Sequence, residues 1–226
     1  MAHRPALQRV VVSGLGLVTP LGNGVRTSWK GLVGGRSGVA SLGTEFEDLP
    51  VSIGACVPRG EEPGQLDMTK YKSRAQSVNF IAFALEAAEE ALKDANWKPT
   101  TYEEQCRTGV AIGSGVGNIE DIVDAGAKMA NPRGFRKISP YFLPRILINL
   151  AAGHVSIEHG LRGPNHACST ACATGAHAIG DAYRMIERGD ADVMVCGGTE
   201  SSMDRLSVAG FARAQVRIPD SVCPLS

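Results

Sequence analysis

Cys172 lies in the stretch GPNHACSTACATGAHAIGDAYR, residues 163–184, whose pattern predicts a strand up to Thr170, a sharp turn, and a helix opening near the cysteine. A thiol at a helix N-terminus faces the positive end of the helix dipole, which favours the thiolate that attacks a carbonyl carbon. A helix start also leaves backbone N–H groups free to hold an oxyanion. The chemistry indicated is nucleophilic acyl transfer. Composition and placement alone favour a second reading: cysteine is among the most buried residue types, and a cysteine in an apolar stretch is usually inert. A metal reading of His166, Cys168, Cys172 and His177 is poorer. Their C-x₃-C spacing lacks a second tight ligand pair, and a strand and a helix aim side chains in different directions. Packing roles are expected for His166, Cys168 and His177. His177 lies well round the helix from Cys172 and is poorly placed as its base. His154 and His159 read as ordinary helix or loop residues.

Two glycine-rich stretches carry weaker signals. GLGLVTPLGNG, residues 14–24, follows a strand-like run, but Thr19 stands where a dinucleotide fingerprint needs its third glycine. No acid follows before Glu45 to take a ribose, so a tight structural turn is expected instead. IGSGVGN, residues 112–118, lacks the Lys-Ser/Thr pair of a phosphate loop. Its glycines are expected to let backbone approach a neighbouring segment or ligand.

These residues need elements to hold them. Strands are expected at residues 9–14, 51–56, 108–113, 165–170 and 191–196. The first, third and fifth are nearly continuous apolar runs, as in strands covered on both faces. A short helix is expected at residues 25–33, and a longer one at 76–96 with Ile81, Ala84, Leu85, Ala88, Leu92 and Ala95 on one face. Others follow Gly117 and cover part of residues 141–150. The helix from Cys172 to Arg188 ends at Gly189, a natural cap. Its small residues Gly175, Ala176, Ala178, Gly180 and Ala182 are expected to bury it against close neighbours. Alternating strands and helices predict an α/β sheet layered with helices.

Composition sets outer limits. The 226 residues are 43% hydrophobic and 20% charged, enough for a sizeable core. Lys plus Arg and Asp plus Glu both total 23, and aromatic content is 5%, so neither a global field nor stacking platforms point to nucleic acid. No apolar run approaches a membrane-spanning length. Six scattered cysteines read as buried thiols of a reducing compartment rather than a disulfide framework.

STACATGAHAIGDAYRMI (169–186), preceded by GPNHA and followed by GDADVMVCGGTES and LSVAGFARA, resembles the active-site region of the elongating β-ketoacyl-acyl carrier protein synthases. The resemblance continues upstream through RKISPYFLPRILINLAAGHVSI (136–157), AIGSGVG (111–117) and VVVSGLGLVTPLGNG (10–24). Mitochondrial and bacterial type II synthases are the most similar branch, and the pattern around the cysteine separates it from thiolases.

The resemblance implies an α/β, thiolase-like fold, of which residues 1–214 supply the N-terminal half: a mixed β-sheet layered with helices. It implies decarboxylating condensation of malonyl-carrier protein with a Cys172-bound acyl chain, with no cofactor and no metal. The Cys172 N–H would supply half of the oxyanion hole, Val116 would bound the acyl tunnel, and Phe142 would lie close to that tunnel and the dimer contact. Lys70, Lys72 and Arg74 would dock acyl- and malonyl-loaded carrier protein, or form only a solvated basic turn. A homodimer, or a dimer with a full-length synthase, is implied. The family's two histidines, its lysine and a phenylalanine N–H belong to the other half, and residues 215–226 depart from the pattern as an unstructured tail. Condensation is therefore expected to be incomplete in these residues alone. The alternative is a non-catalytic subunit that binds carrier protein or a full-length protomer. The mitochondrial branch points to a mitochondrial location; the absence of a recognisable presequence points to the cytoplasm.

Overall fold

The computed structural model describes residues 8–72 and 78–215. In chain order these carry β1 (Val18–Thr19), β2 (Gly22–Asn23), α1 (Val25–Val33), β3 (Ala40–Ser41), β4 (Ile53–Gly54), α2 (Thr69–Lys72), α3 (Asn79–Asp94) and α4 (Tyr102–Cys106). Then follow β5 (Thr108–Gly113), α5 (Ile119–Met129), α6 (Phe142–Ile146), α7 (Leu150–His159), β6 (Asn165–His166), α8 (Thr174–Glu187), β7 (Val193–Gly198) and α9 (Arg205–Arg213). The chain divides into two units, one built from residues up to Gly16, Val78–Gly117 and Leu147–Glu200, the other from Leu17–Ser77, Asn118–Ile146 and residues from Ser201 onward.

The first unit holds a three-stranded parallel sheet in the order β6-β5-β7. β5 is buried along its whole length, so both of its faces are covered. α7 packs on α3 and on β5, while α8 packs on β5 and β7. Residues 80–85 of α3 are all buried, wider than the single face that its periodicity predicts. Val110, Ile112, Ala151, Ala152, Val155, Ala178 and Ala182 extend this core. A Thr101–Glu104 capping box starts α4, satisfying donors that the first helical turn leaves free.

Residues 9–14, expected as a strand, form none: Val11 and Val12 are exposed and the segment lacks a partner strand among the described residues. Gly14, and Gly16 just after it, instead lie flat on α3, where a Cβ on Gly14 would stand 2.1 Å from the Ala91 carbonyl oxygen and one on Gly16 1.8 Å from that of Ala87. The strand expected at residues 51–56 shrinks to Ile53–Gly54, and that at 165–170 to Asn165–His166, because the chain then turns toward Cys172. The buried-thiol expectation also fails. Cys56 and Cys172 are exposed, and Cys106, Cys168 and Cys196 are intermediate. Burial is still enough to push the Cys196 thiol pKa up.

In the second unit, the tight turn expected in GLGLVTPLGNG is the β1–β2 hairpin, pinned by the Thr19 hydroxyl, which pairs with Ser28 Oγ at 2.8 Å. α5 packs against α6 and α9. Arg145 of α6 makes a two-pronged ion pair with Asp121 of α5, and Arg205 of α9 holds both Asp48 oxygens at 2.7 and 2.9 Å. Among the described residues no helix is long and apolar enough to cross a membrane.

Candidate active site

Cys172 stands in a tight 3-10 turn, Ala171–Ala173, between the end of the β6 segment and the start of α8. The turn is strained: Ala171 has a φ of 50°, a left-handed conformation that costs an L-residue about 1–2 kcal/mol. Side chains staple it. The Thr170 N–H donates to Thr174 Oγ1 at 2.8 Å, and Thr170 Oγ1 lies 2.8 Å from His177 Nδ1. Cys168 Sγ donates to the Thr174 carbonyl at 3.3 Å, and His166 Nε2 meets Asp181 Oδ2 at the same distance. Among the described residues the Cys172 N–H is bonded to no other group, so it remains able to meet a developing oxyanion. The result is an exposed thiol on a rigid corner. Cys168 and His177 bond to the corner and His166 ties β6 to α8; His177 is exposed, so its contact is a hydrogen bond rather than the packing expected of it.

Glycine lets the neighbouring elements approach. A Cβ on Gly113, at the end of β5, would stand 2.1 Å from the Cys168 carbonyl oxygen and 2.5 Å from Thr174 Cγ2. A Cβ on Gly198 of β7 would likewise stand 2.9 Å from Gly175 Cα of α8. Beyond β5 the chain runs as Ser114-Gly115-Val116-Gly117 beside the cysteine turn: Ser169 Oγ donates to the Gly115 carbonyl at 3.4 Å. Val116 thus belongs to the same neighbourhood as Cys172 and is partly exposed.

The other expected site residues lie in the second unit. Phe142 lines a cleft of about 150 Å³ with Asp121, Asp124, Lys128 and Arg145. Lys70 is exposed on α2. Arg74 and the Lys72 side chain lie outside the described residues.

Comparison with known proteins decides the family. Residues 7–225 match the model described as Beta-ketoacyl synthase, N-terminal domain. The chain belongs to the β-ketoacyl synthase family. It is 51% identical over 223 residues to the mitochondrial 3-oxoacyl-[acyl-carrier-protein] synthase of Arabidopsis thaliana, covering 92% of this chain and 48% of that one. It is 52% identical over 212 residues to 3-oxoacyl-[acyl-carrier-protein] synthase 2 of Rhizobium meliloti, covering 91% and 50%. The chain thus spans about half the length of these curated relatives. Among solved structures, a β-ketoacyl synthase from Burkholderia phymatum superposes with a TM-score of 0.80 at 28% identity, over 95% of this chain and 52% of that one. The fold is therefore α/β and thiolase-like, in its N-terminal half. A type II PKS acyl-carrier protein in complex with its ketosynthase bound to the hexaketide matches with a TM-score of 0.72 at 28% identity, over 92% and 49%.

Two features of this synthase-family site escape the sequence reading. One is the left-handed Ala171, since alanine carries no signal for positive φ. The other is Glu200, whose Oε2 accepts from Ser114 Oγ at 3.3 Å, Gly115 N at 3.1 Å and Val116 N at 2.9 Å. An acid directly after Gly-Gly-Thr at a strand end was its only trace in the sequence.

Proposed function

We propose that the chain takes an acyl group from acyl carrier protein onto Cys172, the opening half-reaction of a 3-oxoacyl-acyl carrier protein synthase. The observation that carries this is the exposed thiol on a strained corner with its own N–H unengaged. In the step, the Cys172 thiolate attacks the donor thioester carbonyl, a new C–S bond forms, and the carrier's C–S bond breaks to release its thiolate, which takes up the proton that Cys172 lost. The Cys172 N–H and the start of α8 offset the oxyanion charge of the intermediate. Val116 bounds the acyl site, and Lys70, Lys72 and Arg74 dock the carrier. Condensation with malonyl-carrier protein requires groups beyond this half. The mitochondrial relative from Arabidopsis thaliana supports a mitochondrial location.

A second reading, a non-catalytic subunit that pairs with a complete protomer, is favoured by one feature: Ile179 and Tyr183 of α8 are exposed. Incubation with acyl-carrier protein and intact-mass measurement separates the two readings. The wild type is expected to gain one acyl group and Cys172→Ala none. A folded wild type that stays unmodified would overturn the acyl reading and leave the pairing one.

A further inference from the structure

Glycines 113, 115 and 117 alternate through the loop beside the cysteine turn, and Gly117 takes a φ of 76°. Glycine gives backbone freedom and no stiffness, so something else must hold this loop in one place. The Glu200 carboxylate supplies it. One oxygen gathers the Ser114 hydroxyl and the N–H groups of Gly115 and Val116, and the Ser114 oxygen in turn accepts the Gly117 N–H at 3.1 Å. Ser114 is 1% exposed and its bond with Gly117 is buried, whereas Glu200 reaches the loop from the exposed side. A carboxylate accepting N–H groups forms bonds about twice as strong as neutral ones. The same loop meets the nucleophile turn: a Cβ on Gly115 would lie 3.4 Å from Ala171 Cα and 3.3 Å from Glu200 Oε2.

We infer that Glu200 is a positioning residue that locks the Ser114–Gly117 loop against the Cys172 turn and thereby sets which acyl chains the cysteine accepts. Val116 is the one aliphatic side chain in that loop, and Glu200 holds its backbone N–H, so the carboxylate fixes where this side chain stands beside the thiol. Displacing a wall next to a reacting atom by about 1 Å changes rates by up to ~100-fold. Loss of the lock therefore acts on donors that reach the wall and spares those too short to do so. This selectivity claim rests on the proposed acylation of Cys172; the lock itself does not.

The test compares the full chain with Glu200→Ala, Glu200→Gln and Ser114→Ala. Hydrogen exchange at the Gly115 and Val116 amides reads the lock. Acylation of Cys172 by acetyl and octanoyl thioesters of N-acetylcysteamine, followed by intact mass, reads selectivity. Glu200→Ala is expected to speed exchange at both amides and to shift the octanoyl-to-acetyl rate ratio by ~10-fold. Glu200→Gln, which keeps an acceptor oxygen without the charge, should fall between, and Ser114→Ala should shift the ratio in the same direction. Alkylation of Cys172 by iodoacetamide should stay at the wild-type rate. If Glu200→Ala fails to fold, the other two variants carry the same comparison. Unchanged amide exchange would overturn the lock, and an unchanged rate ratio in folded variants would overturn its role in selectivity. Faster exchange in a chain whose wild type is never acylated would overturn the acyl reading while upholding the lock.

Discussion

Ala171 sets the energetic cost of the nucleophile corner. Its left-handed backbone is paid for by the staples around it: Thr170 to Thr174 and His177, and Cys168 to the Thr174 carbonyl. Glycine at this position would remove the steric cost of about 1–2 kcal/mol while adding about 0.5–1 kcal/mol of unfolded-state entropy. Ala171→Gly is thus expected to stabilise the chain by ~0.5 kcal/mol in a denaturant titration. Ala171→Val should destabilise it by ~2 kcal/mol, because a β-branched side chain tolerates positive φ worst. A valine variant as stable as wild type would mean that the corner relaxes and stores no strain.

At the level of elements, the sheet and α8 are tied together at the end away from the cysteine. Arg107, just before β5, donates to both Asp192 oxygens at 2.5 and 3.1 Å and to the Gly189 carbonyl beyond α8 at 2.9 Å. It thereby satisfies a carbonyl past the helix end and fixes the loop into β7. The Arg107 guanidinium beside it holds the Asp192 carboxyl below the usual carboxylate range. A carboxyl with a lowered folded-state pKa contributes stability above the unfolded value, near 3.9, and loses it as pH falls through the lower folded value. Both side chains are more than a third exposed, so solvent screening keeps the ion pair small. Arg107→Ala is expected to lower stability at neutral pH, mostly through the lost carbonyl bond. The gap between variant and wild type in urea should narrow below pH ~4. A gap that stays constant down to pH 2 would show that the charge of Asp192 contributes nothing.

For the whole molecule, the exposed apolar residues carry the argument. α8 buries Thr174, Ala178 and Ala182 but leaves Ile179 and Tyr183 52% and 45% exposed, so the small-residue helix is covered on one side only and not buried throughout. Val11 and Val12 stand in solvent as well. Ile179 and Tyr183 lie one turn apart on one helix face, and exposed apolar pairs of this kind mark a contact site or an aggregation liability. Ile179→Glu is expected to reduce concentration-dependent self-association in sedimentation velocity without lowering the melting temperature. An unchanged distribution would assign association to another surface.

Local pattern alone was enough to mark out α1, α3, β5 and the corner-and-helix of Cys172. Each rests on short-range signals: a helical period, a run of β-formers, or a stop glycine such as Gly189, which takes a φ of 82°. The family is likewise legible, because its motifs are contiguous stretches around the cysteine. Tertiary structure alone decided the rest. Residues 9–14 have the composition of a strand, yet a strand exists only where a partner offers its hydrogen bonds, and these residues rest on α3 through Gly14 and Gly16 instead. The covering of α8 depends on which neighbours are present rather than on its own small residues. Glu200 lies 84 residues from Val116, and no local pattern announces that its carboxylate closes the loop beside the thiol. The nucleophile could be read from its own stretch, whereas the residues that position it come together only when distant parts of the chain fold.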